Sequence, residues 1–176
     1  GSTALAERLD PEVVMEIMNG AFDVLIEPIM RYEGTLARLM GDAVLAFFGA
    51  PIAHEDDAQR AVLAALEILA GAQGYAEKLA RERGIAGFDV RVGINTGLVV
   101  VGEVGSDLRV EYTAMGDAIN LAARIEAAAE PGTVLITEAT HKLVAPLFET
   151  ESRGPVEVKG KREPVQTYLV EGAKPR

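Results

Sequence analysis

Leu36-Ala-Arg-Leu-Met40, then Gly41-Asp42, then Ala43-Val-Leu-Ala-Phe-Phe48: two short apolar runs divided by a glycine and an acid decide how this chain is read. A tight, glycine-containing divide between β-favouring runs predicts a hairpin. Such a hairpin holds Asp42 just past its turn, with a strand on either side. A turn aspartate has a purely local explanation, because its carboxylate can bond nearby backbone N–H groups. The hydrophobic strands also suit a fixed, outward-aimed carboxylate. From spacing alone, both readings stand.

Helical patterns flank the hairpin. Asp10-Pro11 suits a helix start, with Asp as N-cap and Pro at the first helical position. Apolar residues recur from there at Val14, Ile17, Met18, Ala21, Phe22, Leu25, Ile26 and Ile29, one face of a helix ending near Gly34. After the hairpin, the acids Glu55-Asp56-Asp57 suit the positive end of a second helix. Its apolar face is Ala58, Ala61, Val62, Ala65, Leu66 and Leu69, and Arg81 and Arg83 precede its stop at Gly84. Phe88 to Glu103 reads as two strands broken at Asn95-Thr96-Gly97. Gly116 to Ala129 reads as a helix stopped by Pro131-Gly132. Strands are expected at 133–137, 148–152, 156–159 and 166–171, with a short helix at 138–144. This order predicts an α+β fold, a mixed sheet with helices packed on it.

The chain's 176 residues favour one domain. With 49% hydrophobic and 25% charged residues, it has the balance of an ordinary globular protein. No apolar run approaches the ~18 residues a membrane span needs, so no membrane contact is expected. The absence of cysteine excludes disulfides and thiolate metal sites and fits a reducing, cytoplasmic setting. A net charge of −10 argues against nucleic acid, which needs a basic face. His54 and His141 are far apart, without ligand spacing, and read as surface residues.

Within this acidic chain a few groups suit phosphate chemistry. Asn120 and Arg124 are four apart and share a helix face. An amide donor beside a guanidinium suits negative charge developing on a phosphoryl group. The plainer account pairs Arg124 with a surface acid such as Glu126 or Glu130. Lys159-Gly160-Lys161-Arg162 is a basic cluster that reads either as a ligand contact or as a solvated loop. Asp117 repeats the Met-Gly-Asp-Ala setting of Asp42 but opens a helix, where capping explains it. No nucleophile elbow, Walker loop or HExxH pattern is present.

Taken in order, Gly1–Glu12, Met40-Gly-Asp-Ala-Val-Leu-Ala-Phe-Phe-Gly49, Arg91-Val-Gly-Ile-Asn-Thr-Gly97, Glu111-Tyr-Thr-Ala-Met-Gly-Asp-Ala-Ile-Asn-Leu-Ala-Ala-Arg124 and Val158-Lys-Gly-Lys161 resemble the class III adenylyl and guanylyl cyclase catalytic domain. The likeness is strongest to bacterial adenylyl cyclases and spans nearly the whole chain. It implies a ferredoxin-like, palm-like sheet and a head-to-tail homodimer with shared active sites. It also implies conversion of ATP to cyclic AMP and pyrophosphate, with two divalent cations, Mg²⁺ or Mn²⁺.

By this resemblance Asp42 matches one of two metal-binding aspartates. Asn120 matches the residue that orients ribose, and Arg124 the one that stabilises the pentacovalent α-phosphate. Lys161, in preference to Lys159, matches a lysine on the terminal phosphates. The partner protomer would supply these three to the site that uses Asp42. Gly1, Ser2 and Thr3 match a cradle for the β- and γ-phosphates.

Arg38 and Thr113 stand where the family reads the base. Arg38 replaces the usual lysine, and a donor-only side chain facing N1 opposes guanine. The other metal aspartate is expected three residues before Gly1. The reading is therefore a single domain over residues 1–176, N-terminally truncated, with its first strand missing. Its rivals are an inactive cyclase-like regulatory or dimerisation module, a guanylyl cyclase, and a palm-like diguanylate cyclase or polymerase. The last lacks its Gly-Gly-Asp/Glu-Glu-Phe signature here.

Overall fold

Val134, Leu135, Ile136 and Thr137 are buried without exception. Because strand side chains alternate in direction, such a strand must be covered on both faces. The computed structural model describes residues 9–40, 43–50, 52–98, 117–158 and 163–175, and it shows what covers them.

The elements in order are α1 (Pro11–Arg31), β1 (Thr35–Met40), β2 (Ala43–Phe47), α2 (Asp57–Arg83), β3 (Val92–Ile94), α3 (Asp117–Ala128), β4 (Val134–Thr137), α4 (Glu138–Val144), β5 (Phe148–Val156) and β6 (Val165–Ala173). Among the described residues β1 and β2 form a two-stranded sheet, and the other strands form a four-stranded sheet in the order β3-β4-β6-β5. β3 and β4 are parallel; the remaining pairs are antiparallel. The expected α+β architecture with a mixed sheet is what forms.

Alternation along β4 divides the core. Val134 and Ile136 join Val62 and Ala65 of α2, with Val144, Phe148 and Val170, in one apolar cluster. Leu135, pointing the other way, joins Leu121, Ile125 and Ala129 in a second. The sheet is thus the middle layer between α2 and α3. Full burial of each large apolar side chain here contributes about 1.5–3 kcal/mol. Ala58, Leu66 and Leu69 flank the first cluster, so the predicted face of α2 is the one it buries. Gly84 ends α2 in the left-handed conformation.

β1 and β2 pair from Thr35↔Phe47 to Met40↔Ala43, an antiparallel hairpin as expected. At the hairpin's base, α1 closes with the paired bonds of a Schellman motif: Gly34 N–H donates to the Ile29 carbonyl at 2.8 Å and Glu33 N–H to that of Met30 at 3.1 Å. Glu33 takes the left-handed position, at φ 63°. Its carboxylate accepts from Arg60 of α2 at 2.8 Å and lies 3.2 Å from His54 Nε2. Asp57 meanwhile accepts the His54 backbone N–H at 2.8 Å. Arg60 also donates to Asp56 at 2.8 Å, and that bond holds the Asp56 carboxyl below its ordinary range. His54 thus belongs to a polar clamp joining the hairpin base to α2, half-buried where a surface residue was expected.

Two strand expectations are corrected. Phe88 to Arg91 does not join the sheet; the strand is Val92–Ile94, and the one expected after Gly97 lies outside the described residues. The strands expected at 148–152 and 156–159 are joined in one, β5, which runs through Val156; 159 lies outside the described residues. Between them, Gly154 takes φ 80° at a register shift, and Thr167 Oγ1 donates to its carbonyl at 2.9 Å. Proline is tolerated beside it because β5 is an edge strand among the described residues.

α3 lies unusually close to β3. A Cβ on Gly93 would sit 2.6 Å from Glu126 Cα and 2.9 Å from the Ala122 carbonyl oxygen. Backbone cannot yield as a side-chain tip can. Gly93→Ala is therefore expected to lower stability by about 2 kcal/mol, the scale of overpacking, measured by urea denaturation. An unchanged midpoint would mean that α3 can move away freely.

Candidate functional site

The second core cluster decides which way α3 faces. Leu121 and Ile125 are buried at 5% and 0% exposure, which turns Asn120 and Arg124 to solvent on one face. The i, i+4 spacing therefore does what the sequence predicts. The acid pairing for Arg124 does not occur among the described residues. Glu126 instead lies 3.5 Å from Arg91 Nε. Arg124 has one polar contact there, Nε donating to the Glu157 carbonyl at 3.4 Å, a long and weak bond. Its charge is left available in a chain of net charge −10.

That contact also brings Arg124 beside the chain leading into the basic cluster, since Glu157 and Val158 immediately precede Lys159. Lys159 and Lys161 themselves lie outside the described residues, as do Gly1, Ser2, Thr3, Asp42 and Thr113. Arg38 lies in β1, opposite Leu45, next to a register shift between Leu36 and Arg38. Asp117 opens α3, as expected of a helix-start acid. Among the described residues no group of three or more His, Cys, Asp or Glu could hold a metal ion. Nor is any helix long and apolar enough to cross a membrane. His141 stacks on Tyr168 at 3.7 Å and meets Thr150 Oγ1 at 3.2 Å, a structural role.

One polar group escapes the sequence reading. Asn95, read as part of a strand break and of a family-like stretch but given no role, accepts from Thr137 Oγ1 at 2.8 Å and donates to the Ala118 carbonyl at 3.1 Å. Thr140 lies 2.8 Å from Thr96 and 3.4 Å from Thr137, hydroxyl to hydroxyl. Thr137 and Thr140 are at most 1% exposed, so these hydroxyls need internal partners. The network joins the ends of β3 and β4 to α4 and to the first turn of α3. No local motif announces it, because Thr137 is 42 residues from Asn95.

A family model described as the adenylate and guanylate cyclase catalytic domain matches residues 1–172. Adenylate cyclase 1 of Rhizobium meliloti (strain 1021) is 33% identical over 172 residues, which are 97% of this chain and 26% of that protein. The crystal structure of the adenylyl cyclase CyaB from P. aeruginosa superposes with a TM-score of 0.92 at 32% identity, covering 99% of this chain and 90% of that one. The guanylyl cyclase Cya2 superposes with a TM-score of 0.87, also at 32% identity, covering 98% and 87%. The chain spans about a quarter of the length of the Rhizobium relative.

Exposed side chains with weak contacts add little to stability. Asn120→Ala and Arg124→Ala are each expected to change stability by less than about 0.5 kcal/mol, read by thermal or urea denaturation. A loss several times larger would assign these residues to holding the fold.

Proposed function

This chain belongs to the adenylate and guanylate cyclase catalytic domain family, and on that premise we propose that it converts ATP to 3′,5′-cyclic AMP and pyrophosphate. The observation that carries the reading is Arg124, exposed beside Asn120 with no acid partner among the described residues. In the reaction the ribose 3′-oxygen bonds to the α-phosphorus, and the bond to the oxygen bridging toward the β-phosphate breaks. Pyrophosphate leaves, and the hydroxyl proton is released to solvent. Charge builds on the α-phosphate oxygens during attack, where a guanidinium lowers the barrier most.

Each remaining residue has a part consistent with its chemistry. The Asn120 amide orients the ribose. Lys161, with Lys159 as the less favoured choice, neutralises the terminal phosphates, and the backbone of Gly1, Ser2 and Thr3 cradles them. Arg38 and Thr113 read adenine: Arg38 donates toward N1, and the Thr113 hydroxyl accepts from the amino group. Asp42, a carboxylate oxygen donor, suits a hard cation. It would hold Mg²⁺ or Mn²⁺ together with a second carboxylate. Two such ions supply activation of the 3′-hydroxyl and charge neutralisation on the phosphates.

Because the carboxylate and the α3 residues serve opposite halves of a shared site, the active unit is a homodimer. In the full-length protein with Mn²⁺ and ATP, Asp42→Ala and Arg124→Ala are each expected to lose at least about 100-fold in turnover. An equimolar mixture should recover about a quarter of the wild-type rate: half of the dimers are mixed, and each has one intact site. Equal product from wild type and Asp42→Ala would overturn the role of Asp42, and no recovery on mixing would overturn the shared site. Preference for GTP in direct competition would make this a guanylyl cyclase, a reading Arg38 permits. No product from either nucleotide would make it a regulatory module.

A further inference from the structure

We propose that Asn95 is a positioning residue for this reaction, setting the seat of α3 and through it Asn120 and Arg124. The inference rests on the role proposed for α3. Its basis is the two-sided contact of one amide: Thr137 Oγ1 donates to Asn95 Oδ1 at 2.8 Å, and Asn95 Nδ2 donates to the Ala118 carbonyl at 3.1 Å. A carbonyl can only accept, so the atom facing Ala118 must be the amide nitrogen. The amide's orientation is thereby decided, and it cannot be reversed without setting two acceptors against each other.

The link is anchored at one end and applied at the other. Thr137 closes β4, the strand buried on both faces, and is itself 1% exposed. Its hydroxyl is steadied by Thr140, whose own hydroxyl meets Thr96. Ala118 is in the first turn of α3, two residues before Asn120. Apolar packing further along α3, through Leu121, Ile125 and Ala129, buries a face but tolerates small sliding. Directional bonds do not. A Cβ on Gly97 would come within 3.0 Å of the Ala118 Cβ, so the same turn is also closely approached by the chain just after Asn95. Together these contacts hold the helix start in register with the sheet.

A shift on the order of 1 Å in a catalytic group can cost about 100-fold in rate. Asn95→Asp is the sharp variant, because it keeps the acceptor for Thr137 and puts an acceptor where Ala118 needs a donor. In the full-length protein, its turnover number for ATP is expected to fall roughly 10- to 100-fold while KM stays within about threefold. Combined with Arg124→Ala it should add almost nothing, since a mispositioned arginine and a missing one are the same loss. Thr137→Val cuts the link from the other end and should reproduce both results, whereas Thr137→Ser, which keeps the hydroxyl, should restore turnover. These two variants serve if Asn95→Asp does not fold.

Wild-type turnover in Asn95→Asp, or losses that multiply in the double variant, would overturn the positioning role. Wild-type turnover in Arg124→Ala alone would instead overturn the reading of α3 as catalytic, and this inference with it.

Discussion

Helix α3 rests on β3 with backbone against backbone. At Gly93 there is no room for even a methyl group before Glu126 Cα is met at 2.6 Å. That approach puts Leu121 and Ile125 into the sheet, and the helix then has no choice about what it shows to solvent. Asn120 and Arg124 are exposed because their neighbours are buried, not because anything in their own chemistry pulls them outward. The candidate site is a consequence of core packing on its far side.

Two fastening schemes serve the two parts of the site. The hairpin carrying Arg38 and leading to Asp42 is tied at its base by charged groups: Glu33, Arg60, Asp56 and Asp57, with His54 among them. Such pairs are partly hydrated and individually weak. Helix α3 is fastened through the half-buried amide of Asn95, which is backed by the buried hydroxyls of Thr137 and Thr140.

Long-period patterns were legible in the sequence, and long-range pairings were not. The face of α2 could be read from Ala58 to Leu69 because helical periodicity is local, and the hairpin followed from Gly41-Asp42 between two apolar runs. The i, i+4 placement of Asn120 and Arg124 was legible for the same reason. What could not be read was that Arg124 would meet neither Glu126 nor Glu130, because Arg91 approaches Glu126 from another element. The role of Asn95 escaped likewise: Thr137 is brought near by the parallel pairing of β3 and β4, and Ala118 by the packing of α3 against β3. β5 was read as two strands, yet Gly154-Pro155 lies within one, and its place at the edge of the sheet among the described residues makes that tolerable.

That edge limits how copies of this chain can meet. β5 presents Glu149, Glu151 and Arg153 to solvent, shifts register twice, and contains a residue with no amide hydrogen at Pro155. A charged, kinked border short of donors is a poor template for another strand. Two copies therefore cannot readily join by continuing this sheet across β5.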